Sequence, residues 1–160
     1  MSQKRDTDYL AVSTRIHAME NRMLTRERME RMIDAKDSGE AAKVLSECGY
    51  GELTQLTSAA LEELLADARR NTFRDMADSV PDRRLVEVFQ LKYDYHNAKV
   101  LIKAQAMGLD EARLLSQGGR YDPQRLREDF LRDDLRDWGE VFRQAVLRAR
   151  EVLSATGDPQ

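Results

Sequence analysis

The hydrophobic and polar positions between residues 84 and 107 form three separate stripes of one long helix. Positions three or four apart share a face of a helix, and a single apolar stripe is typical of a helix on a surface. Here two stripes are apolar and one is polar: Val88, Leu91, Tyr95, Ala98, Ile102 and Ala106; Phe89, Tyr93, Asn97, Leu101 and Ala104; and Lys92, His96, Lys99 and Lys103. We therefore predict a central helix that is wedged between neighbours and meets water only along the lysine stripe.

Apolar residues recur at helical spacing through the rest of the chain, and capping residues mark where the segments begin. Before the central helix we predict four helices: one over residues 6–23, a short one capped by Thr25 with Met29, Met32 and Ile33 on its inner face, one from Ser38, and one capped by Thr57 or Ser58. The central helix is predicted from Pro81 to Met107, and short helices follow at Asp110 and at Asp122-Pro123. The last predicted helix carries Leu135, Trp138, Phe142, Ala145, Ala149 and Val152. No stretch alternates with period two. The sequence predicts an all-α protein of about seven to eight helices.

Asn97 is a polar residue within the second apolar stripe. A buried amide left without hydrogen-bond partners costs about 1–3 kcal/mol, so its environment matters. One interpretation is a core asparagine whose hydrogen bonds fix the packing register, as polar residues do in helical seams. The other interpretation makes Asn97 part of an interface or binding site. The sequence leaves both open.

Charge and composition restrict the class of partner. The 160 residues carry 26 Lys and Arg against 29 Asp and Glu, a net charge of −3, whereas nucleic-acid binding requires a concentrated positive field. The single cysteine suits a reducing compartment and excludes an internal disulfide framework. No apolar run approaches the roughly 20 residues that span a bilayer, and the N-terminus has no signal-peptide core. We expect a soluble, cytoplasmic protein that does not bind nucleic acid.

Candidate catalytic and metal-binding residues are few and scattered. His17 and His96 lie on different predicted helices, and no His-x-x-x-His or Glu-x-x-His pair is present to hold a metal. Cys48 falls near the C-terminal end of a helix, where the dipole disfavours a thiolate. An aspartate cluster alternates with arginines, which is typical of a solvated helical face; it comprises Asp129, Asp133, Asp134 and Asp137. No glycine-rich phosphate loop occurs, and we predict no catalytic residue, cofactor or metal.

A weak internal repeat at an offset of 69 residues suggests two similar units. The matched pairs are Arg15 and Arg84, Ile33 and Ile102, Ala35 and Ala104, Gly39 and Gly108, Leu45 and Leu114, and Gly49 and Gly118. Six identities are also compatible with chance in a chain rich in Ala and Leu, so both interpretations stay open. Repeats of this kind bury their apolar faces against one another. We predict one helical repeat unit over residues 1–80 and a second, cut short at its C-terminus, over residues 81–160.

Three stretches of the chain resemble one known family, in that family's order. Asp94-Tyr95-His96-Asn97-Ala98-Lys99, followed by Val100-Leu101-Ile102 and Lys103-Ala104, resembles an aspartate-aromatic-x-asparagine-x-lysine helix. That helix occurs in the C subunit of the archaeal and bacterial V-type (A-type) rotary ATPases, called the d subunit in eukaryotes. Residues 9–16 with Glu20 and Leu24 resemble the family's opening helix, and residues 41–45 with Gly49-Tyr50 resemble its next helix. The resemblance covers nearly all of the chain.

The resemblance implies a fold, a function and partners. Members are helical repeats arranged as a pseudo-threefold funnel. The implied function is that of a non-catalytic central-stalk subunit, which couples the rotor axle to the membrane proteolipid ring and transmits torque for ATP-driven ion transport or ATP synthesis. The implied partners are the axle subunits and the ring, at the cytoplasmic face of the membrane and without a membrane span. The structural or interface candidates that match the family motif are Tyr93, Asp94, Asn97, Lys99 and Lys103.

The length of the chain departs from the family pattern. Members are about twice as long, so we expect a truncated chain whose uncovered surfaces are exposed or self-associate. The alternative class is a free-standing helical adaptor or regulatory module that binds a partner helix through an apolar groove and ends at Gln160.

Overall fold

The computed structural model describes residues 5–53 and 57–158, and this part of the chain is helical throughout its regular structure. Its seven α-helices are α1 (Leu10–Glu20), α2 (Arg26–Ile33), α3 (Ser38–Glu47), α4 (Ser58–Ser79), α5 (Arg84–Met107), α6 (Pro123–Leu131) and α7 (Glu140–Thr156). Short 3-10 helices, Asp6–Tyr9 and Ala112–Leu114, precede α1 and α6. The described residues contain no strand, and the predicted all-α class is confirmed.

Capping residues begin several helices where the sequence predicts them. The hydroxyls of Thr25 and Thr57 accept hydrogen bonds from the backbone amides three residues later, at 3.3 and 3.1 Å. The carboxylate of Asp122 accepts from the amides two and three residues later, and Pro123 occupies the first position of α6. These bonds satisfy amides that lack a partner within the helix. Pro81 lies before α5 rather than in its first turn.

Two predicted helices differ from the observed ones at their ends. The first, predicted over residues 6–23, begins as a 3-10 turn, and α1 ends at residue 20. The last is predicted to include Leu135 and Trp138, but both precede α7. Asp133 adopts a positive φ of 57° and Gly139 has a non-helical ψ of 141°, so the chain turns between α6 and α7 while still burying Leu135 and Trp138. Helical spacing in the sequence therefore predicted a helix where the chain forms a buried turn.

The short helix α2 exposes most of the face that the sequence assigns to the core. Ile33 is 80% exposed and Met29 is 46% exposed, so that prediction is wrong. Only the half-buried Met32 of the three is partly covered. α2 packs against α3, and the ion pair between Arg31 and Glu47, at 3.0 Å, joins the two helices.

The central helix α5 is buried along its middle and exposed at its start. Asp94, Asn97, Ala98 and Leu101 are each 3% exposed or less, as expected for a wedged helix. Two members of the predicted apolar stripes near the start of α5 are exposed instead: Val88 is 62% exposed and Phe89 is 66% exposed. The prediction that α5 meets water only along its lysines is therefore wrong for its first turns and for its end, where Ala106 and Met107 are also exposed.

The chain divides into two compact units, of which the first ends at Val86 and the second begins at Glu87. In the first unit α4 has no fully buried residue, and the buried apolar side chains come mostly from α1 and α3. The second unit has a continuous core of Ala98, Leu101, Ile102, Leu126, Phe130, Leu135, Trp138, Phe142 and Val146. Its centre is aromatic, with Tyr121 stacked on Phe142 at 5.5 Å between ring centroids.

Residues paired by the 69-residue offset occupy unlike environments. Ile33 is 80% exposed at the end of α2, whereas Ile102 is 7% exposed within the core of the second unit. Gly39 lies in the first turn of α3, whereas Gly108, with a φ of +65°, follows the last residue of α5. These pairs do not mark equivalent points of two repeats, and the repeat bounds 1–80 and 81–160 stay a prediction.

Candidate functional site

The family-like motif lies where α5 meets the connection to α6, residues 108–122. Asp94 and Asn97 are 0% exposed and lie one helical turn apart, so they share a face of α5. Both side chains are directed at the backbone of this connection. A buried carboxylate and a buried amide are costly unless their hydrogen bonds are made. In this protein both groups are hydrogen-bonded.

Asp94 accepts three hydrogen bonds from the end of the connection. Its Oδ1 accepts from the backbone N–H of Arg120 at 2.8 Å and from that of Tyr121 at 3.4 Å. Its Oδ2 accepts from Nε of the Arg120 guanidinium at 2.6 Å. The Arg120 side chain is 26% exposed, so one partner of the ion pair is fully buried and the other reaches water. Charge-assisted bonds of this kind are about twice as strong as neutral ones.

Asn97 forms a reciprocal pair with the backbone of Ser116. Its Oδ1 accepts from the Ser116 N–H at 2.7 Å, and its Nδ2 donates to the Ser116 carbonyl oxygen at 2.9 Å. The side chain thus supplies both the donor and the acceptor that a neighbouring strand would supply. An aspartate in this place lacks the donor, and a leucine lacks both groups. Between the two interpretations of Asn97, these contacts agree with the core role.

Two glycines let the connection approach α5 closely. A Cβ at Gly119 would lie under 3.0 Å from Oδ1 of Asp94, closer than real atoms approach, and a Cβ at Gly118 would lie 3.0 Å from the Tyr93 ring. Gln90 adds a hydrogen bond from its Nε2 to the Gly119 carbonyl oxygen at 3.1 Å. Glycine is needed here because backbone packs directly on side chains.

The same connection is held at its other end and by α6. His96 on α5 donates from Nε2 to the Leu114 carbonyl oxygen at 3.0 Å. The predicted cap Asp110 accepts from the Ala112 N–H at 3.2 Å, although the helix that follows is a single 3-10 turn. Glu111 is 9% exposed and pairs with Arg127 of α6. We call this set of contacts the polar anchor; it comprises Gln90, Asp94, His96, Asn97 and Glu111 with their partners.

The five residues singled out from the sequence separate into two groups. Tyr93, Asp94 and Asn97 lie together at the polar anchor. Lys99 and Lys103 are exposed on another side of α5. Sequence reasoning missed further members of the anchor, which are Gln90, Glu111, Ser116 and Arg120. The Gly118-Gly119 pair followed by an arginine is the signal that could have located them, because a close backbone approach needs glycine and a buried aspartate needs a cation.

The aspartates after α6 pair with arginines and do not share a helical face. Asp133, Asp134 and Asp137 lie in the turn before α7, so the predicted helical face is wrong. Their partners, at 2.5–2.6 Å, are Arg150, Arg136 and Arg125 respectively. The hydrogen bond from the Arg136 guanidinium lowers the pKa of Asp134 to about 2. Within residues 5–53 and 57–158, no group of three or more His, Cys, Asp or Glu side chains is placed to hold a metal ion.

The helices also differ from those that span a bilayer. Across the described part of the chain, none combines the length and the apolar character that a membrane crossing demands.

The fold and the anchor define an all-α protein whose central helix carries the buried aspartate and asparagine of the family motif. A family model described as ATP synthase (C/AC39) subunit matches residues 12–160. The chain belongs to this family, which confirms the resemblance drawn from the motif.

One curated relative is the C subunit of the V-type sodium ATPase of Enterococcus hirae. It is 23% identical to this chain over 159 residues, an alignment that covers 91% of this chain and 48% of the relative. The chain thus spans about half the length of the curated relative that it matches. No solved structure matches the chain.

Proposed function

We propose that this protein is a non-catalytic central-stalk subunit of a V-type ATPase. It couples the rotor axle to the proteolipid ring and transmits torque for ATP-driven ion transport or for ATP synthesis. The observation that carries the proposal is the family match over residues 12–160, and the relative from Enterococcus hirae, named as the C subunit of a V-type sodium ATPase, supports it. Its partners are the axle subunits and the ring, at the cytoplasmic face of the membrane.

The polar anchor supports a mechanical role. A protein that transmits torque needs segments that do not yield, and a long connection between helices is ordinarily a mobile part of a protein. Here residues 108–122 are bonded to α5 through Asp94, His96 and Asn97 and to α6 through Arg127. Charge-assisted bonds in a buried setting resist deformation because breaking them leaves an unpaired charge. We propose that Tyr93, Asp94 and Asn97 serve as this internal scaffold.

The test is recovery of the assembly from its native host. The gene product is tagged, membranes are gently solubilised, and the proteins that copurify are quantified by mass spectrometry. The proposal predicts catalytic-head, axle and proteolipid subunits in fixed ratio to the tagged chain. A matched preparation carrying Asn97→Leu should contain less of these subunits, since the anchor is broken. Recovery of one soluble protein without any ATPase subunit would contradict the proposal and favour the free-standing adaptor.

A further inference from the structure

One side of α5 remains exposed over most of the length of the helix. At 100° per residue, Val88, Phe89, Lys92, Lys99, Lys103 and Met107 fall within one stripe about 100° wide, which we call the lysine face. All six residues are exposed, and Phe89 and Met107 are 66% and 58% exposed. Apolar residues thus lie at both ends of the stripe, and the three lysines lie between them together with His96, whose Nε2 donates to the Leu114 carbonyl oxygen. The opposite side of the helix carries Asp94, Asn97 and the core.

The lysine face carries no carboxylate from α5 itself. Most arginines of the described residues are paired with an acid, for example Arg15 with Asp75 at 2.9 Å. Lys99 and Lys103 take part in none of the ion pairs found among the described residues, and Lys92 lies over the Tyr93 ring at 4.9 Å. The two acidic residues of α5 are Glu87 and Asp94, about 180° away around the helix. A positive stripe is therefore maintained on a chain whose net charge is −3.

We propose that the lysine face is a docking surface for an acidic amphipathic helix of a partner protein. The lysines between 92 and 103 span roughly 17 Å along the axis, which is about three turns of a facing helix. Carboxylates spaced three or four residues apart on that helix would meet them, and apolar side chains at its ends would cover Phe89 and Met107. Charge complementarity of this kind sets register and steers association.

A helix fits this surface better than an anionic membrane does. A lipid surface interacts with the charge of a whole domain, and this chain has more acids than bases. A partner helix contacts only a narrow strip and so meets the lysines without meeting the surrounding carboxylates. The apolar residues at the two ends of the stripe, rather than between its lysines, also match a helix laid along α5.

The proposal is tested by photo-crosslinking the chain in its native host. Phe89 is replaced by p-benzoyl-phenylalanine, an aromatic substitution at a side chain that is 66% exposed. After irradiation, the crosslinked peptides are sequenced by mass spectrometry. We expect a polypeptide partner whose crosslinked segment carries acidic residues at helical spacing. In the background of Lys99→Glu with Lys103→Glu, the yield should fall at least about five-fold, because two attractive contacts become repulsive.

The matched control is the pair Lys36→Glu with Lys43→Glu, which changes the net charge equally at exposed positions outside α5. Circular dichroism checks that both double variants remain folded. Three results would each overturn the proposal. The first is a crosslink to lipid alone, the second is a crosslink to a segment without acidic residues, and the third is a crosslinking yield that neither double variant changes. The inference does not depend on the ATPase assignment, since an acidic helix of any partner supports the lysine face, whereas the proposed function is tested separately by the subunits that copurify with the chain.

Discussion

Replacing Asn97 by leucine tests whether the anchor holds the connection between α5 and α6. Leucine has a similar volume, so the substitution removes hydrogen bonds without opening a large cavity. It leaves the N–H and the carbonyl oxygen of Ser116 without the partners they have at 2.7 and 2.9 Å. Each buried polar group that loses its partner costs about 1–3 kcal/mol. Since Ser116 is only half-buried and water can reach it in part, we expect a loss of about 2–4 kcal/mol in the free energy of unfolding.

The assay is urea denaturation followed by tryptophan fluorescence. Trp138 is the single tryptophan and lies in the core of the second unit, so its signal reports the unit that contains the anchor. With a denaturant slope of about 1–2 kcal/mol per molar, the midpoint should fall by about 1 M or more. The Ser116 amide should also lose protection from hydrogen exchange.

A matched control separates the lost bonds from a general effect of adding leucine. Asn71→Leu places the same change on the exposed side of α4, where substitutions usually shift stability by less than about 0.5 kcal/mol. A change below about 0.5 kcal/mol in Asn97→Leu itself would refute the reasoning, because two half-buried polar groups of Ser116 that lose their partners should lower the free energy of unfolding by more than that.

Three further predictions concern close packing, charge and the aromatic core. Gly119→Ala should lower the free energy of unfolding, measured by urea denaturation, by about 2–3 kcal/mol, since its Cβ would lie under 3.0 Å from the Asp94 carboxylate. Arg136→Gln should raise the pKa of Asp134 from about 2 toward its ordinary value, measured by carbon NMR titration. Because the native pKa is lowered, the stabilisation from ionised Asp134 is present above its ordinary pKa and is lost as the pH falls toward about 2. Phe142→Ala should lower the free energy of unfolding by about 3–5 kcal/mol and alter the tryptophan fluorescence.

Neighbouring positions provide the controls. Gly139→Ala should cost less than about 1 kcal/mol, because the nearest side-chain atom to its Cβ is 3.5 Å away. Val141→Ala, at a side chain that is 79% exposed, should stay within about 0.5 kcal/mol of the parent. Equal costs at Gly119 and Gly139, or at Phe142 and Val141, would contradict the close packing around Asp94 and in the aromatic core. An unchanged pKa of Asp134 in Arg136→Gln would exclude the guanidinium as its cause.

Local signals in the sequence predicted several helix starts and the end of α5 at Met107, but not how the helices pack. Thr25, Thr57 and Asp122 mark helix starts because a side-chain cap acts within three residues. Leu135 and Trp138 follow helical spacing and are buried as predicted, yet they belong to a turn. At these two positions the apolar spacing correctly indicates burial, because a turn that covers a core can place its apolar residues at the same spacing as a helix.

Only the part of the candidate site that lies on α5 could be predicted from the sequence. Asp94 and Asn97 lie three residues apart, so helical geometry alone places them together. Their partners Arg120 and Ser116 are 26 and 19 residues further along the chain. No periodic pattern links positions at that distance, because the connection between them is irregular. Only the folded backbone shows which groups the two side chains satisfy.

Ion transport by membrane vesicles tests the coupling role most directly. Vesicles are prepared from host cells with and without the gene, and ATP hydrolysis and ion uptake are measured on the same preparation. If the protein joins the axle to the ring, loss of the gene abolishes ATP-driven ion uptake while the catalytic head still hydrolyses ATP, and restoring the gene restores uptake. Uptake that continues unchanged without the gene would contradict the coupling role.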